Sequence, residues 1–336
     1  MTEPWKSDNY FVCPSNYAAE AMAGVQIHKN LEIHDVTLRD GEQQPGVAFT
    51  KDDKIAIATM LAEVGVHRIE AGMPAVSKSD EEAFRQIVKR KIDSKIFAFC
   101  RSLASDIELA ADVGVDGVVI EIPSNDELVE YGFRWPLDRP FKAVCEACRL
   151  AHERGLYVDL FLMDSSRLTV EKFVEKVNAV KNNSWVDSCS IVDTQGTLST
   201  PGARYMVREA VRALDIPVEA HFHNDLGLGT ANALAAAEAG ASALHTTILG
   251  LGPRAGQGAT EQVAIALKLL YNYDTGIKLD KLYDLGLETA KLARVHVPGN
   301  QPVVGDLIYL IEAGMPATWW PNVEKEHPLS LYGILP

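Results

Sequence analysis

The feature that most constrains the fold is a regular alternation of short β-branched runs and longer amphipathic stretches. The runs predict eight strands, near 31–37, 67–71, 95–100, 116–122, 156–162, 187–192, 217–222 and 243–248. The stretches predict eight helices, near 51–65, 79–91, 104–114, 137–154, 169–182, 201–214, 228–240 and 258–272. Eight strand–helix units favour an α/β fold of the closed (β/α)8 TIM-barrel type. An open doubly wound sheet is the alternative, but no glycine-rich dinucleotide turn follows the first strand.

The length of the chain leaves room for more than the barrel. Such a barrel takes about 250 residues, and the chain has 336. We therefore divide it into an N-terminal arm (1–29), a catalytic barrel (30–272) and a mainly helical C-terminal tail (273–336). Helical stretches near 279–294 and 303–313 precede a segment rich in Trp and Pro. No low-complexity linker separates the tail, so we expect it to dock on the barrel.

Composition excludes several classes of partner. The net charge of −14 argues against nucleic acid and anionic membrane surfaces, because both are polyanions. No apolar run reaches ~18 residues and no signal-peptide pattern is present, which predicts a cytoplasmic protein. Five scattered cysteines are typical of reduced thiols, and we interpret Cys145 and Cys148 as helix-packing residues rather than a redox pair.

Polar side chains collect where the predicted strands end, which is where barrel enzymes carry their chemistry. Strand 7 ends with His221 and His223, which point to the same face because side chains alternate along a strand. Strand 1 ends in the charged run Arg39-Asp40-Gly41-Glu42, and a carboxylate from this run together with the two imidazoles would form a site for a divalent metal. Other strand ends supply further polar groups, namely Arg39, Glu42, Gln43, Glu70, Arg101, Glu121, Ser124, Asp193, Thr194, Arg254 and Gln257.

Five motifs resemble the DRE-TIM metallolyases, the family with a pyruvate carboxyltransferase-like domain. They are Thr-Leu-Arg-Asp-Gly-Glu-Gln at 37–43, Ile-Glu-Ala-Gly at 69–72, Asp-Thr-x-Gly at 193–196, His-x-His-Asn-Asp-x-Gly at 221–227 and Gly-x-Gly-x-Arg-Ala-Gly at 250–256. The resemblance covers roughly 30–310. The family includes isopropylmalate, homocitrate and citramalate synthases, HMG-CoA lyase and 4-hydroxy-2-oxoacid aldolases, and Glu42-Gln43 favours the Claisen-condensing branch.

The resemblance implies roles for the matching positions. Asp40, His221 and His223 would ligate Mg²⁺, Mn²⁺, Zn²⁺ or Co²⁺, with the Gln257 amide nearby. Arg39 would stabilise enolate charge, and Glu42 and Glu70 would act beside it as further catalytic groups. The substrate-binding candidates are Arg39, Gln43, Arg101, Ser124 and Thr194, of which Thr194 would bind the carboxylate of a 2-oxoacid. The resemblance also implies a homodimer.

Three departures from the condensing synthases matter: the first two concern the group that removes a proton from acetyl-CoA, and the third concerns the amide near the metal. Met163 stands where those enzymes carry a glutamate after strand 5, and Ile311 and Pro316 stand at two histidine positions of the tail. Gln257 replaces an asparagine. The loop after strand 8 also lacks the cysteine of HMG-CoA lyases, so that activity is not expected.

Two enzymatic hypotheses therefore stay open. The first is an acyl-CoA:2-oxoacid acyltransferase, in which another group, such as Glu312 from the tail or from a partner subunit, supplies the base. The second is a metal-dependent lyase or aldolase that releases pyruvate from a branched 2-oxo- or hydroxy-acid such as 4-hydroxy-4-methyl-2-oxoglutarate, for which no thioester base is needed. A non-catalytic binding barrel is the third class, and the intact ligand set of Asp40, His221 and His223 argues against it.

Several other residues have two interpretations. His34 is more typical of a buried strand histidine than of a ligand, whereas His245 at the end of strand 8 is a candidate for contact with the site. Asp193 and Asp225 are candidates for bonding the second nitrogen of a ligating histidine, but for Asp225 a cap on the next helix is favoured. The adjacent Trp319 and Trp320 favour a subunit interface over packing on the barrel.

Overall fold

The computed structural model describes residues 3–335 and has a closed barrel of eight parallel strands at its centre. The strands follow one another around the barrel in chain order, and β8 closes it by pairing with β1. Their bounds are Glu32–Asp35 (β1), Arg68–Glu70 (β2), Lys95–Arg101 (β3), Gly117–Pro123 (β4), Tyr157–Met163 (β5), Ser188–Asp193 (β6), Val218–Phe222 (β7) and Ala243–Thr246 (β8). The predicted (β/α)8 barrel is confirmed.

Within residues 3–335, eight helices surround the barrel and bury one face each against the strands. They are Lys51–Val64 (α1), Lys78–Lys89 (α2), Ala104–Val113 (α3), Arg139–Glu153 (α4), Val170–Asn183 (α5), Thr200–Ala213 (α6), Gly229–Glu238 (α7) and Thr260–Tyr271 (α8). Local sequence sets where they begin. Thr50 caps α1 in a reciprocal capping box with Asp53, and Ser77, Thr169 and Ser199 cap α2, α5 and α6. The caps satisfy backbone N–H groups that the first turn leaves without partners.

The core has two layers. Aliphatic side chains fill the space between strands and helices, while Phe97, Phe99, Val119, Phe161 and Val192 form a separate cluster inside the barrel. This aromatic layer supports the polar side chains at the carboxyl ends of the strands.

The arm contacts both the outer helices and the tail. The arm is held to the outer helices, where the Tyr17 hydroxyl donates to the Leu269 carbonyl at 2.6 Å. It also pairs with the end of the chain, since Phe11 N donates to Gly333 O at 2.9 Å. Within the described residues, no helix is long and apolar enough to cross a lipid bilayer.

The tail differs from its prediction. Helix α9 (Leu282–Ala293) packs on the barrel and buries Leu282 and Leu285. The helix predicted near 303–313 is wrong: Val303 has a φ of 73°, outside the helical region, and turns follow it. The helix lies later, at Gly314–Glu326 (α10), and no residue of this described helix is buried. Only the first part of the tail is therefore packed as expected.

Candidate metal centre

Three buried ligand atoms converge at the carboxyl ends of β1 and β7. The Asp40 Oδ2 atom lies 3.9 Å from His221 Nε2 and 3.9 Å from His223 Nε2, and all three atoms are within 4.8 Å of one another. His221 lies in β7 and His223 immediately follows the end of that strand. Both side chains point to the inner face of the barrel, as the alternation rule predicted. The structure thus brings together the three residues predicted to hold a metal.

Gln257 lies beside these ligand atoms because the backbone of the loop after β8 packs closely against itself. Gly256 has a φ of 80°, and a β-carbon there would meet the Gly250 carbonyl oxygen at 1.8 Å, so only glycine fits. The next residue, Gln257, forms an isolated antiparallel bridge with His223. Its amide nitrogen donates to Asp40 Oδ2 and lies 3.2 Å from His221 Nε2.

The Gln257 amide oxygen is buried and has no hydrogen-bond partner among the described residues. The two ends of an amide have nearly the same shape, so turning it over would present this oxygen to the ligand atoms. One carboxylate, two imidazoles and an amide oxygen are donors that divalent metals accept. The residues present therefore fit a divalent metal ion.

Burial keeps the two imidazoles in the form that binds metal. It lowers the pKa of His221 well below the ordinary value, with further lowering by the charges of His223 and Arg39. Burial also lowers the pKa of His223, although Asp40 opposes this. Both rings are consequently neutral at physiological pH, as metal ligation requires.

Arg39 is buried beside this cluster with one part of its guanidinium unused. Its Nε donates to Glu70 Oε1 and its Nη1 donates to Asp40 Oδ1 at 2.5 Å, while Nη2 is buried without a partner in the described chain. The guanidinium carbon lies 4.3 Å from the centre of the Phe99 ring. Burial lowers the pKa of Arg39, but the charges of Glu70 and Asp40 outweigh this and raise it overall. A fixed positive charge with a free donor is suited to an oxyanion.

A cavity of about 370 Å³ borders the loops that follow β4, β5 and β6. Thr194 lines it, and its hydroxyl oxygen accepts a hydrogen bond from Asp164 N at 2.8 Å. The Thr194 carbonyl accepts from Arg254 at 2.5 Å, and Arg254 also forms two hydrogen bonds with Asp225. The loops after β6, β7 and β8 are thereby joined at the barrel mouth.

Other predicted site residues have contacts of their own. Lys54 lies 2.7 Å from Glu42, whose other oxygen accepts from Phe49 N at 2.9 Å. Gln43 is exposed. The structure therefore places Glu42 and Gln43 in the loop after β1 but not in the metal-ligand cluster.

The remaining three predicted site residues lie farther around the barrel or outside it. Arg101 forms two hydrogen bonds with Asp106, at 2.8 and 2.9 Å. The Ser124 hydroxyl donates to the Met163 carbonyl at 2.7 Å. Glu312 is exposed in the segment before α10. The structure joins none of these described side chains to the cluster of ligand atoms.

Two expectations about supporting residues are corrected. The Asp193 carboxylate accepts hydrogen bonds from Leu198 N and Ser166 Oγ rather than from a ligating imidazole, and only the Asp193 backbone carbonyl meets a ligand residue, accepting from His223 N at 3.3 Å. Asp225 is not the helix cap, because Asn224 accepts the hydrogen bond from Gly229 N at 2.8 Å. Asp225 instead holds Arg254, and this pairing lowers its pKa.

Sequence reasoning considered His34 and His245 one at a time and missed that, with Glu219, they form a second buried polar group beneath the metal-ligand cluster. His34, Glu219 and His245 lie on the inner faces of β1, β7 and β8, and one ligand atom from each lies within 4.8 Å of the others. The alternation of side chains along β7 offered a signal, because Glu219 precedes His221 by two positions and faces the same way.

Comparisons with known proteins agree with the fold and the motifs. A family profile described as HMGL-like matches residues 30–287. The homocitrate synthase of Methanopyrus kandleri is 34% identical over 93% of this chain and 80% of its own length. The (R)-citramalate synthase of Methanocaldococcus jannaschii is 37% identical over 85% of this chain and 58% of its own length. A solved HMG-CoA lyase from Bacillus subtilis superposes with a TM-score of 0.72 at 18% identity, covering 81% of this chain and 96% of that one.

The barrel and its ligand cluster define a TIM-barrel protein of the DRE-TIM type, and the resemblance inferred from the motifs is confirmed. The chain belongs to the HMGL-like family. Its curated relatives include homocitrate, citramalate and isopropylmalate synthases, whereas the likeness to HMG-CoA lyases, at 18–21% identity, concerns the fold alone.

Proposed function

We propose that this chain is a divalent-metal-dependent acyl-CoA:2-oxoacid acyltransferase. In this reaction acetyl-CoA loses a methyl proton, its carbanion attacks the keto carbon of a 2-oxoacid, and water cleaves the thioester to give a 2-substituted malate and free CoA. The observation that carries the proposal is the cluster of Asp40, His221 and His223 beside the unpaired Nη2 of Arg39. Relatives named as synthases support the condensing direction.

The chain's residues divide the work of binding. Asp40, His221, His223 and Gln257 would hold the metal, which as a Lewis acid supplies polarisation of the keto group. Nη2 of Arg39 donates to the oxygen on which negative charge develops, and Glu70 keeps the guanidinium in place through its bond to Nε. Thr194, whose hydroxyl proton is available on the wall of the cavity, binds the substrate carboxylate. Ser124 fixes the β4–β5 edge through its bond to the Met163 carbonyl, next to Asn125, which lines the same cavity.

The proton of the methyl group needs a base, and Met163 cannot supply one. Glu121 lies on the inner face of β4, opposite Phe161 of β5, whose ring meets His221 edge-on at 5.0 Å. Within residues 3–335 no group donates a hydrogen bond to its carboxylate, and burial raises its pKa although Arg39 opposes this. A raised carboxyl pKa makes a stronger base, so Glu121 is our first candidate.

Glu312 is the second candidate, through a partner subunit. The segment around it exposes Leu310, Ile311, Met315 and Trp319, of which Met315 is 79% exposed. Exposed apolar patches of this kind are typical of subunit interfaces. We propose that a second copy of this chain covers this face in a homodimer, and that Glu312 then lies near the partner's barrel mouth.

The alternative function is a metal-dependent lyase or aldolase that releases pyruvate from a branched 2-oxo- or hydroxy-acid. Met163 and Ile311 favour it, because both positions of the usual thioester base are apolar in this chain. The 2-oxoacid itself would then carry the enolate charge that Arg39 stabilises.

One assay distinguishes the two functions. Purified protein with Mn²⁺ or Mg²⁺ is given acetyl-CoA and one of pyruvate, 2-oxobutyrate, 2-oxoisovalerate, 2-oxoglutarate, oxaloacetate or glyoxylate, and free thiol is followed. Thiol release that requires both metal and one oxoacid supports the acyltransferase and identifies its substrate. Pyruvate release from 4-hydroxy-4-methyl-2-oxoglutarate, with no thiol release from any pair, supports the lyase and overturns the acyltransferase.

A further inference from the structure

The second buried polar group lies directly beneath the metal ligands. His34, Glu219 and His245 are at most 1% exposed. Strand register explains their proximity, because the Cα atom of His245 is opposite that of His34 on β1 and that of His221 on β7. One side chain of this group, His245, therefore contacts a predicted metal ligand.

A continuous series of contacts runs from Arg68 inside the barrel to the predicted metal ligand His221. Arg68 Nη1 donates to Glu219 Oε1 at 2.8 Å, and His245 Nε2 lies 3.0 Å from Glu219 Oε2. His245 Nδ1 lies 3.3 Å from His221 Nδ1. His221 Nε2 is at the other side of its ring, facing Asp40.

Hydrogen-bond chemistry gives this series of contacts one direction. His221 must offer a lone pair at Nε2 to bind a metal, so the proton of the neutral ring is on Nδ1. Nδ1 then donates to His245 Nδ1, which must accept and therefore carries its own proton on Nε2. His245 Nε2 then donates to the ionised carboxylate of Glu219, whose other oxygen accepts from Arg68. This one set of tautomers satisfies every contact in the series.

We propose that Arg68, Glu219 and His245 form a positioning relay that fixes the tautomer and the ring orientation of His221 toward the metal. Partners of this kind typically change metal affinity 10- to 100-fold when removed. The inference rests on the proposed metal centre, but it does not depend on whether the reaction is a condensation or a cleavage.

The same three side chains could instead hold a second ion. His34 has two ring nitrogens that are buried without partners among the described residues, and His34 Nδ1 lies 3.8 Å from Glu219 Oε2. Two observations favour the relay: Glu219 and His245 are already bonded to each other, and the Arg68 guanidinium places a positive charge 2.8 Å from Glu219. The second ion is thus an outcome that the test must detect.

The test measures metal binding rather than turnover. Metal-free protein is titrated with Mn²⁺ for affinity and stoichiometry, and with Co²⁺, whose visible spectrum reports ligand geometry. The variants are His245→Phe, which breaks the relay, and His245→Gln, whose amide has both an acceptor and a donor. His34→Phe is the matched control, because this equally buried histidine packs on the His245 ring at 4.4 Å but forms no hydrogen bond among the described residues.

The relay predicts one ion per chain, with Mn²⁺ affinity reduced about 10- to 100-fold and an altered Co²⁺ spectrum in His245→Phe. Affinity should recover at least partly in His245→Gln and stay within about twofold of the original in His34→Phe. Wild-type affinity and spectrum in both His245 variants would overturn the relay. So would two ions per chain with one lost in His34→Phe. A wild-type chain that binds no ion would overturn the metal centre and the relay together.

If His245→Phe does not fold, Glu219→Gln replaces it, since it keeps the shape of the side chain but removes the charge that orients His245. Thermal unfolding of the metal-free variants establishes that each is folded. A folded Glu219→Gln variant with unchanged affinity and spectrum overturns the relay as well.

Discussion

Replacing Arg39 separates its electrostatic role from its role in the reaction. Its guanidinium is the partner of Glu70, which is fully buried, and of Asp40, which is 2% exposed. Arg39→Met removes the cation and leaves Glu70 as a buried charge without its partner. Losing one member of a buried ion pair costs about 3–5 kcal/mol. We expect the free energy of unfolding to fall by that amount.

A second substitution tests whether the unpaired charge of Glu70 causes the loss of stability. In Arg39→Met/Glu70→Gln the stranded charge is gone, so at least half of the lost stability should return. With a denaturant slope of about 3 kcal/mol per M, the single variant shifts the urea midpoint down by about 1–1.7 M and the double variant by less than about 0.8 M. Unfolding is followed by circular dichroism with a chelator present, so that metal loss does not contribute.

Turnover should not return with stability. The double variant still lacks the Nη2 donor, and removing one oxyanion donor costs about 10²–10³ in kcat. A double variant as unstable as Arg39→Met would refute the buried-charge argument. A stable double variant with wild-type kcat would instead show that Arg39 does not stabilise the developing charge.

Three further outcomes are expected. His223→Ala should lose bound metal after dialysis together with all metal-dependent turnover; full activity at unchanged metal content would contradict the site. Glu121→Gln should lower kcat for CoA release by about 10²-fold or more at an unchanged KM for the 2-oxoacid, while Glu312→Gln stays within about twofold; the reverse pattern would assign the base to the tail. Burial lowers the pKa of His34 from 6.5 to about 3, so below about pH 6.5 the unfolded chain binds a proton that the folded chain does not. Stability then falls with decreasing pH by up to about 1.4 kcal/mol per pH unit from this group, and His34→Phe should remove that slope in urea unfolding at pH 7, 6 and 5.

The barrel and two of its metal-ligand candidates could be predicted because they depend on local periodicity. Alternation along β7 fixes that His221 and His223 face the same side, and parallel strands of a barrel bring their carboxyl ends to one mouth. Asp40 also required the motif resemblance, because the rule places more than one carboxylate after β1 and does not choose among them. The tail was harder to predict, since the left-handed conformation at Val303 and the displaced α10 depend on contacts distant in sequence.

The sequence by itself determined the order of strands and helices, the class of barrel and the types of side chain at its mouth. Only the tertiary structure decided which polar groups pair. His245 rather than Asp193 contacts His221, and Asp225 holds Arg254 rather than capping a helix. Helix and strand periods specify which face a side chain takes, whereas its partner depends on how strands register around a closed barrel. Arg68 and Glu219, 151 positions apart, become neighbours only when that barrel closes.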